Sequence, residues 1–245
     1  MLLEAQAVSK AFGSFFAVRQ ADLCVDEGEV VGLIGPNGAG KSTFFNCLAG
    51  DTMPTSGKIV FAGQDVTSAP PETHARLGIG RTFQVPATFD EMTVLDNVMV
   101  GAYLRHSHHG DARVSALQTI ELTGLKAQTN MPARSLGTPG RKRLEIARVL
   151  ATSPRLMLLD ESLAGLTPME LKEAIRLVQK IHEMGVTIVI VEHVMEVIMT
   201  LTRRVLAFNQ GHVIASGAPE EVVRNEAVIE AYLGRGRHKH RSRST

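Results

Sequence analysis

Eight consecutive residues, Gly35-Pro36-Asn37-Gly38-Ala39-Gly40-Lys41-Ser42, have the types and spacing to hold phosphate. The glycines let backbone N–H groups turn inward around phosphate oxygens. Lys41 supplies a point charge for β- and γ-phosphates, and the Ser42 hydroxyl suits Mg2+. Thr43 follows in the same first turn. The context is right as well. Val30-Val31-Gly32-Leu33-Ile34 reads as a buried strand before the loop. Lys41 to Ala49 reads as a helix after it, whose N-terminal dipole adds positive potential.

A second constellation is Leu156-Met157-Leu158-Leu159-Asp160-Glu161. Four apolar residues make a strand buried on both faces, and its two acids arrive where parallel α/β sheets place ligands. Asp160 is placed to hold Mg2+, and Glu161 to polarise an attacking water as a general base. An apolar strand ending in Asp-Glu is common by itself; paired with a phosphate loop it points to phosphoryl transfer.

The elements that must position these groups can be read coarsely. The first eighty residues read as strands and tight turns. From about Thr93 to Thr123 the pattern is helical, broken near His106-Ser107-His108-His109-Gly110, with Val94, Leu95, Val98 and Met99 on one face. A Gly-, Pro-, Ser- and Thr-rich loop spans Gly124 to Gly140, and Arg141 to Thr152 is helical again. Then a strand, a helix entered through Pro168, the strand Val186 to Val191 and a short helix alternate, followed by a strand pair around Asn209-Gln210-Gly211 and two short helices. Such alternation predicts an α/β fold with a mostly parallel sheet.

Composition excludes several classes. The chain has 245 residues, 44% hydrophobic and 21% charged, which is globular usage. A net charge of +1 argues against a protein built to coat nucleic acid. Cys24 and Cys47 are too few for a disulfide scaffold and fit a reducing compartment. No apolar run approaches the roughly 20 residues a spanning helix needs, and Glu4 near the start replaces the basic segment of a secretory signal. His106, His108 and His109 lack a Cys or acidic partner at ligand spacing and read as a surface loop. Residues 235–245 carry five Lys/Arg and read as a solvated, disordered tail.

On these motifs, in this order, the chain resembles the ATP-binding cassette (ABC) ATPases over about residues 2–234. The resemblance implies further site residues. Gln84, in Arg81-Thr82-Phe83-Gln84, matches the glutamine that contacts Mg2+ or water and links the core to a helical subdomain. His193, in Val191-Glu192-His193, matches the histidine that bonds the γ-phosphate. Phe12 matches the aromatic that stacks on adenine, with Phe15 and Phe16 as competitors. The implied fold is a P-loop NTPase core (1–84 and 152–234) with an N-terminal antiparallel β subdomain and an inserted helical subdomain (85–151).

One family motif is degraded. The signature segment that caps the opposite cassette's γ-phosphate across a dimer reads Leu136-Gly137-Thr138-Pro139-Gly140 here. Gly137 removes the expected serine hydroxyl and Pro139 removes an N–H. The segment after Glu161 is also altered: Ser162-Leu163-Ala164-Gly165-Leu166-Thr167 ends in Thr where many cassettes carry Asp.

Arg81–Gln84, Glu91–Val98, Ala164–Pro168 and Glu230–Gly234 look like the branched-chain amino-acid importer ATPases, whose close relatives import urea and short amides. That resemblance implies a peripheral ATPase using ATP and Mg2+ on the cytoplasmic face of the inner or plasma membrane. It implies integral permease subunits, a second ATPase (a copy or a different cassette) and an external substrate-binding protein, and no nucleic acid. The damaged signature also keeps open a weakly hydrolysing regulatory cassette. Soluble repair or translation ATPases are disfavoured by the single cassette and the absence of a long heptad run. A small GTPase is disfavoured by the absence of an Asn-Lys-x-Asp motif.

Overall fold

The computed structural model of the chain describes residues 1–233. The elements run, in order, β1 (Leu3–Phe12), β2 (Phe15–Val25), β3 (Val30–Ile34), α1 (Lys41–Leu48), β4 (Ser56–Phe61), β5 (Gln64–Asp65), α2 (Pro71–Leu77) and β6 (Ile79–Arg81). Three helices follow: α3 (Val94–Ala102), α4 (His109–Leu122) and α5 (Thr138–Leu150), with two short 3-10 turns before α5. The chain then returns through β7 (Leu156–Asp160), α6 (Pro168–Glu183), β8 (Thr187–Val191), α7 (Met195–Leu201), β9 (Arg204–Asn209) and β10 (His212–Gly217). It closes with α8 (Pro219–Val222) and α9 (Glu226–Leu233).

β3, β7 and β8 are buried at every position, the pattern of strands covered on both faces. They form the centre of a six-stranded sheet in the order β10-β9-β3-β8-β7-β6. All its pairs are parallel except the β9–β10 hairpin at one edge. The first hairpin lies in a separate antiparallel sheet, β2-β1-β4-β5. Helix α1 packs between the two sheets, where Phe44, Phe45 and Leu48 join one core with residues of both. A second core covers the other face of the parallel sheet with α6 and part of α5. A third fills the helical lobe made by α3, α4 and α5. The expected mostly parallel core, antiparallel β subdomain and helical insertion are all present.

Helix α5 belongs to two cores at once. Its Ile146 and Leu150 join the sheet-side core, while Leu144 and Ala147 join the helical lobe. Two expectations need correction. The helix starts at Thr138, three residues before Arg141, because Pro139 is pre-organised for a first helical turn. The stretch 71–77, read as turn, is the short helix α2. It buries only His74, so it leaves no apolar periodicity to detect. The triad of histidines straddles the start of α4, and Tyr103 Oη shares a 2.8 Å hydrogen bond with His109 Nδ1. The basic stretch 235–245 and Gly234 lie outside the described residues. No described helix is long and apolar enough to cross a membrane.

Candidate nucleotide site

The phosphate loop leaves the carboxyl end of β3 and enters α1. Two of its glycines are obligatory on steric grounds. Gly35 has φ +144, and a Cβ there would fall 2.3 Å from the Phe208 carbonyl oxygen. Gly40 has φ +102, and a Cβ would fall 2.2 Å from that of Ala17. The loop is thus seated directly against β9 and β2 backbone, a fit no side chain permits. Lys41 is buried, and its Nζ donates to the carbonyls of Gly35 at 2.7 Å and Pro36 at 3.0 Å. Burial lowers its pKa, opposed by Glu161 and Asp160.

A cavity of about 690 Å3 opens over this loop. Every loop residue from Gly35 to Thr43 lines it, with Phe15, Ala17, Gln84, Glu161, His193 and Tyr232. The sequence motifs, 150 residues apart in places, therefore converge on one space. Phe15, and neither Phe12 nor Phe16, is the phenylalanine on the cavity wall, where Tyr232 is a further aromatic. Phe12 opposes it across the hairpin, and the Lys10 ammonium lies over its ring at 5.1 Å. Of the three aromatics that the sequence offered, Phe15 is the one in this lining, on the strand that also carries Ala17 into it.

Asp160 ends β7, where its backbone N–H donates to Thr82 Oγ1 at 3.1 Å. Thr82 Oγ1 and Ser162 Oγ share a 2.6 Å hydrogen bond beneath the site. Asp160 Oδ1 is buried with no hydrogen-bond partner, and Oδ2 is 3.7 Å from Arg81 Nη2. Burial raises its pKa, against the lowering influence of Arg81. A buried carboxylate with an orphaned oxygen beside a phosphate loop fits a divalent cation. Ser42 and Gln84 line the cavity and the buried Asp160 is not among its lining residues; the donor set of Ser42, Gln84 and Asp160 is hard oxygen throughout.

Glu161 has φ +47, a left-handed conformation uncommon for a residue with a Cβ. Its N–H donates to the Val191 carbonyl at 2.9 Å, and its own carbonyl accepts from Ala164 N at 3.2 Å. Gln84 Nε2 donates to Glu161 Oε2 at 2.8 Å. Strain held at a carboxylate facing a phosphate cavity is what a pre-organised functional group shows. His193 reaches the cavity from the end of β8. Its neighbour Glu192 is buried and accepts from Leu163 N at 2.9 Å.

Tyr232 escaped sequence reasoning. Its hydroxyl accepts from Gly35 N at 2.8 Å, across 197 positions of sequence. An aromatic in a C-terminal helix carries no local sign of that contact. The degraded signature segment lies elsewhere: Leu136, Gly137, Pro139 and Gly140 line a separate cleft with Glu170 and Glu173. None of them lines the phosphate-loop cavity.

A phosphate loop at the end of a parallel strand, sharing its cavity with Gln84, Glu161 and His193, is the arrangement of a P-loop nucleotide-binding ATPase. Residues 18–164 match the ABC transporter family, and residues 212–238 match the branched-chain amino acid ATP-binding cassette transporter family. The chain therefore belongs to the ATP-binding subunits of ABC transporters, which bind nucleotide and couple ATP hydrolysis to transport. It is 37% identical over 250 residues to the high-affinity branched-chain amino acid transport ATP-binding protein BraF of Pseudomonas aeruginosa, covering 95% of this chain and 98% of that one. It is 38% identical over 249 residues to LivG of Escherichia coli, named for the same activity, at the same coverage. A nucleotide-free ATP-binding cassette from an ABC transporter superposes with a TM-score of 0.87 at 28% identity, covering 95% of this chain and 99% of that one. An ABC transporter cassette in its ADP conformation superposes with a TM-score of 0.86, covering 95% and 98%. Subunits of this kind work with membrane permeases and as cassette dimers.

Proposed function

We propose that this chain powers an importer of branched-chain amino acids. The carrying observation is 37–38% identity, over 95% of the chain, to subunits named for that transport. The cavity chemistry supports ATP as the substrate. Lys41 and the loop N–H groups hold the phosphates, and Phe15 offers a ring for the base. Ser42, Asp160 and Gln84 would hold Mg2+, which neutralises charge developing on the phosphate oxygens. Glu161 accepts the proton of the attacking water, Gln84 holds that carboxylate in place, and His193 donates to the γ-phosphate. Catalysis of this kind rests on positioning and charge.

The core at 1–84 and 152–234 would carry the site, and the lobe at 85–151 would pass its motion to integral permease subunits. An apolar groove of about 350 Å3 is formed by both lobes, with Phe83, Val100, Leu104 and Arg148 on its walls. A permease segment seated there touches core and lobe together and so senses movement between them. In this reading the chain sits peripherally on the cytoplasmic face of the membrane, and an extracytoplasmic binding protein delivers the solute. The second ATPase is a different cassette, because the signature segment of this chain lacks a serine hydroxyl and one N–H.

The test is uptake of labelled leucine, isoleucine and valine in cells whose only copy of this chain carries Lys41→Ala. Uptake of these three should stop. Loss of urea or short-amide uptake with leucine uptake intact would transfer the assignment to that relative.

A further inference from the structure

Helix α5 carries three charged residues one turn apart, Lys142, Glu145 and Arg148, between its two apolar faces. Lys142 is 9% exposed and Glu145 4% exposed. Charges that deep remain ionised only when they are bonded. Their partners are backbone groups of the two loops that enter the nucleotide cavity. Lys142 Nζ donates to the carbonyls of Ala164 at 2.6 Å and Glu161 at 3.3 Å. Glu145 Oε1 accepts from the N–H groups of Phe83 at 3.0 Å and Ala87 at 3.5 Å, on either side of Gln84. Arg148 donates to the Ala87 carbonyl and lies over the Phe89 ring at 4.6 Å. The Gln84–Glu161 hydrogen bond closes a ring of contacts running from α5 through both loops and back.

Glu161 holds a left-handed backbone, a conformation that persists only when its surroundings over-determine it. The Lys142 bond to its carbonyl is one such restraint, and Glu192, bonded to Leu163 N, is another on the same turn. Leu144 and Ala147 tie α5 to the helical lobe and Ile146 and Leu150 tie it to the sheet-side core, so these anchors sit on the element that joins the two.

We propose that Lys142 and Glu145 are positioning residues: they set the Glu161 carboxylate and the Gln84 amide against each other and tie that geometry to the orientation of the helical lobe. The proposal rests on the reading of Glu161 and Gln84 as the groups that handle the attacking water.

The experiment measures ATP turnover of the transporter isolated from membranes through a tag on this chain, with ATP affinity measured in parallel. Lys142→Met keeps the apolar stem and removes the donor. It should lower kcat at least tenfold with ATP affinity within about threefold of wild type, and Lys142→Arg should recover most of the loss. Glu145→Ala should behave like Lys142→Met, whereas Glu145→Gln, which keeps an oxygen acceptor, should stay near wild type. Amide hydrogen exchange should rise over 83–87 in Glu145→Ala and over 161–165 in Lys142→Met. Turnover within twofold of wild type in Lys142→Met, or equal losses in kcat and affinity, would overturn the proposal. If Glu145→Ala does not fold, Lys142→Met and Glu145→Gln still decide it. Glu161→Gln serves as the control. If that variant keeps turnover, the underlying reading of Glu161 fails and the inference with it. If it loses turnover while Lys142→Met does not, the inference alone fails.

Discussion

Lys41 holds its ammonium inside the ring of the loop it serves, on the Gly35 and Pro36 carbonyls. An arriving phosphate finds this charge in place and already stripped of much of its water. Lys41→Ala should therefore weaken ATP binding by about 100-fold, the scale of one or two charge-assisted hydrogen bonds. Titration with a fluorescent ATP analogue checks this, and near-wild-type binding would remove Lys41 from the site. Glu161→Gln should act differently. The amide is close in shape, so binding should persist, while turnover should fall by about 100-fold or more, as when a general base is lost. Turnover within a few-fold of wild type in the assembled transporter would show that another group takes the proton. The φ of +47 at Glu161 adds that the carboxylate is aimed by a backbone held away from its ordinary preference.

At the scale of elements, α6 offers the clearest local device. Thr167 accepts from Glu170 N while the Glu170 carboxylate accepts from Thr167 N, a reciprocal cap at the helix start. The helix so begun presents Leu171, Ala174, Ile175, Val178 and Ile181 to the parallel sheet. Thr167→Ala should cost about 1 kcal/mol, lowering the melting temperature by about 2–4 °C for a chain of this size. Thermal unfolding reads this directly; an unchanged midpoint would mean the cap is redundant with packing. Pro168 at its first turn and the place of this helix between two buried strands made it legible from sequence; the cap emerged only in the structure. Helix α2 was not legible, because seven residues with one buried side chain leave no period. The start of α5 was misjudged because Pro and Gly look like loop when their neighbours are not known to be helical.

For the whole molecule, the unequal quality of its two contributions to a cassette pair matters most. The phosphate loop, Asp160 and Glu161 are complete, whereas the signature segment starts α5 with Gly137 at the cap, no side-chain hydrogen bond there, and Pro139 in the first turn. Alone, this chain should hydrolyse ATP slowly. Paired with a cassette carrying a full signature, it should form one fast site, built on Lys41 and Glu161, and one slow site on the partner's loop. Reconstituting the pair with Glu161→Gln in this chain should remove nearly all turnover, and the equivalent change in the partner should remove little. Equal losses, or brisk ATPase from this chain by itself, would show that Gly137–Gly140 caps phosphate after all.

The chain's own order of residues was enough to pick out the phosphate loop and the strand that ends in Asp160-Glu161, whereas Gln84 and His193 came only from the resemblance to the ABC ATPases. The first two are short patterns whose chemistry depends on neighbours in sequence. Residue order was also enough for a mostly parallel sheet, because buried strands and amphipathic helices repeat with their own periods. Only the tertiary structure decided that Phe15 and not Phe12 lines the cavity, that Tyr232 reaches Gly35, and that Lys142 and Glu145 bond the backbone at Ala164 and Phe83. The reason is physical. Those contacts join backbone groups and side chains from about 20 to nearly 200 positions apart, and nothing in a local pattern records which distant carbonyl or N–H a buried charge will meet once sheets and helices have packed.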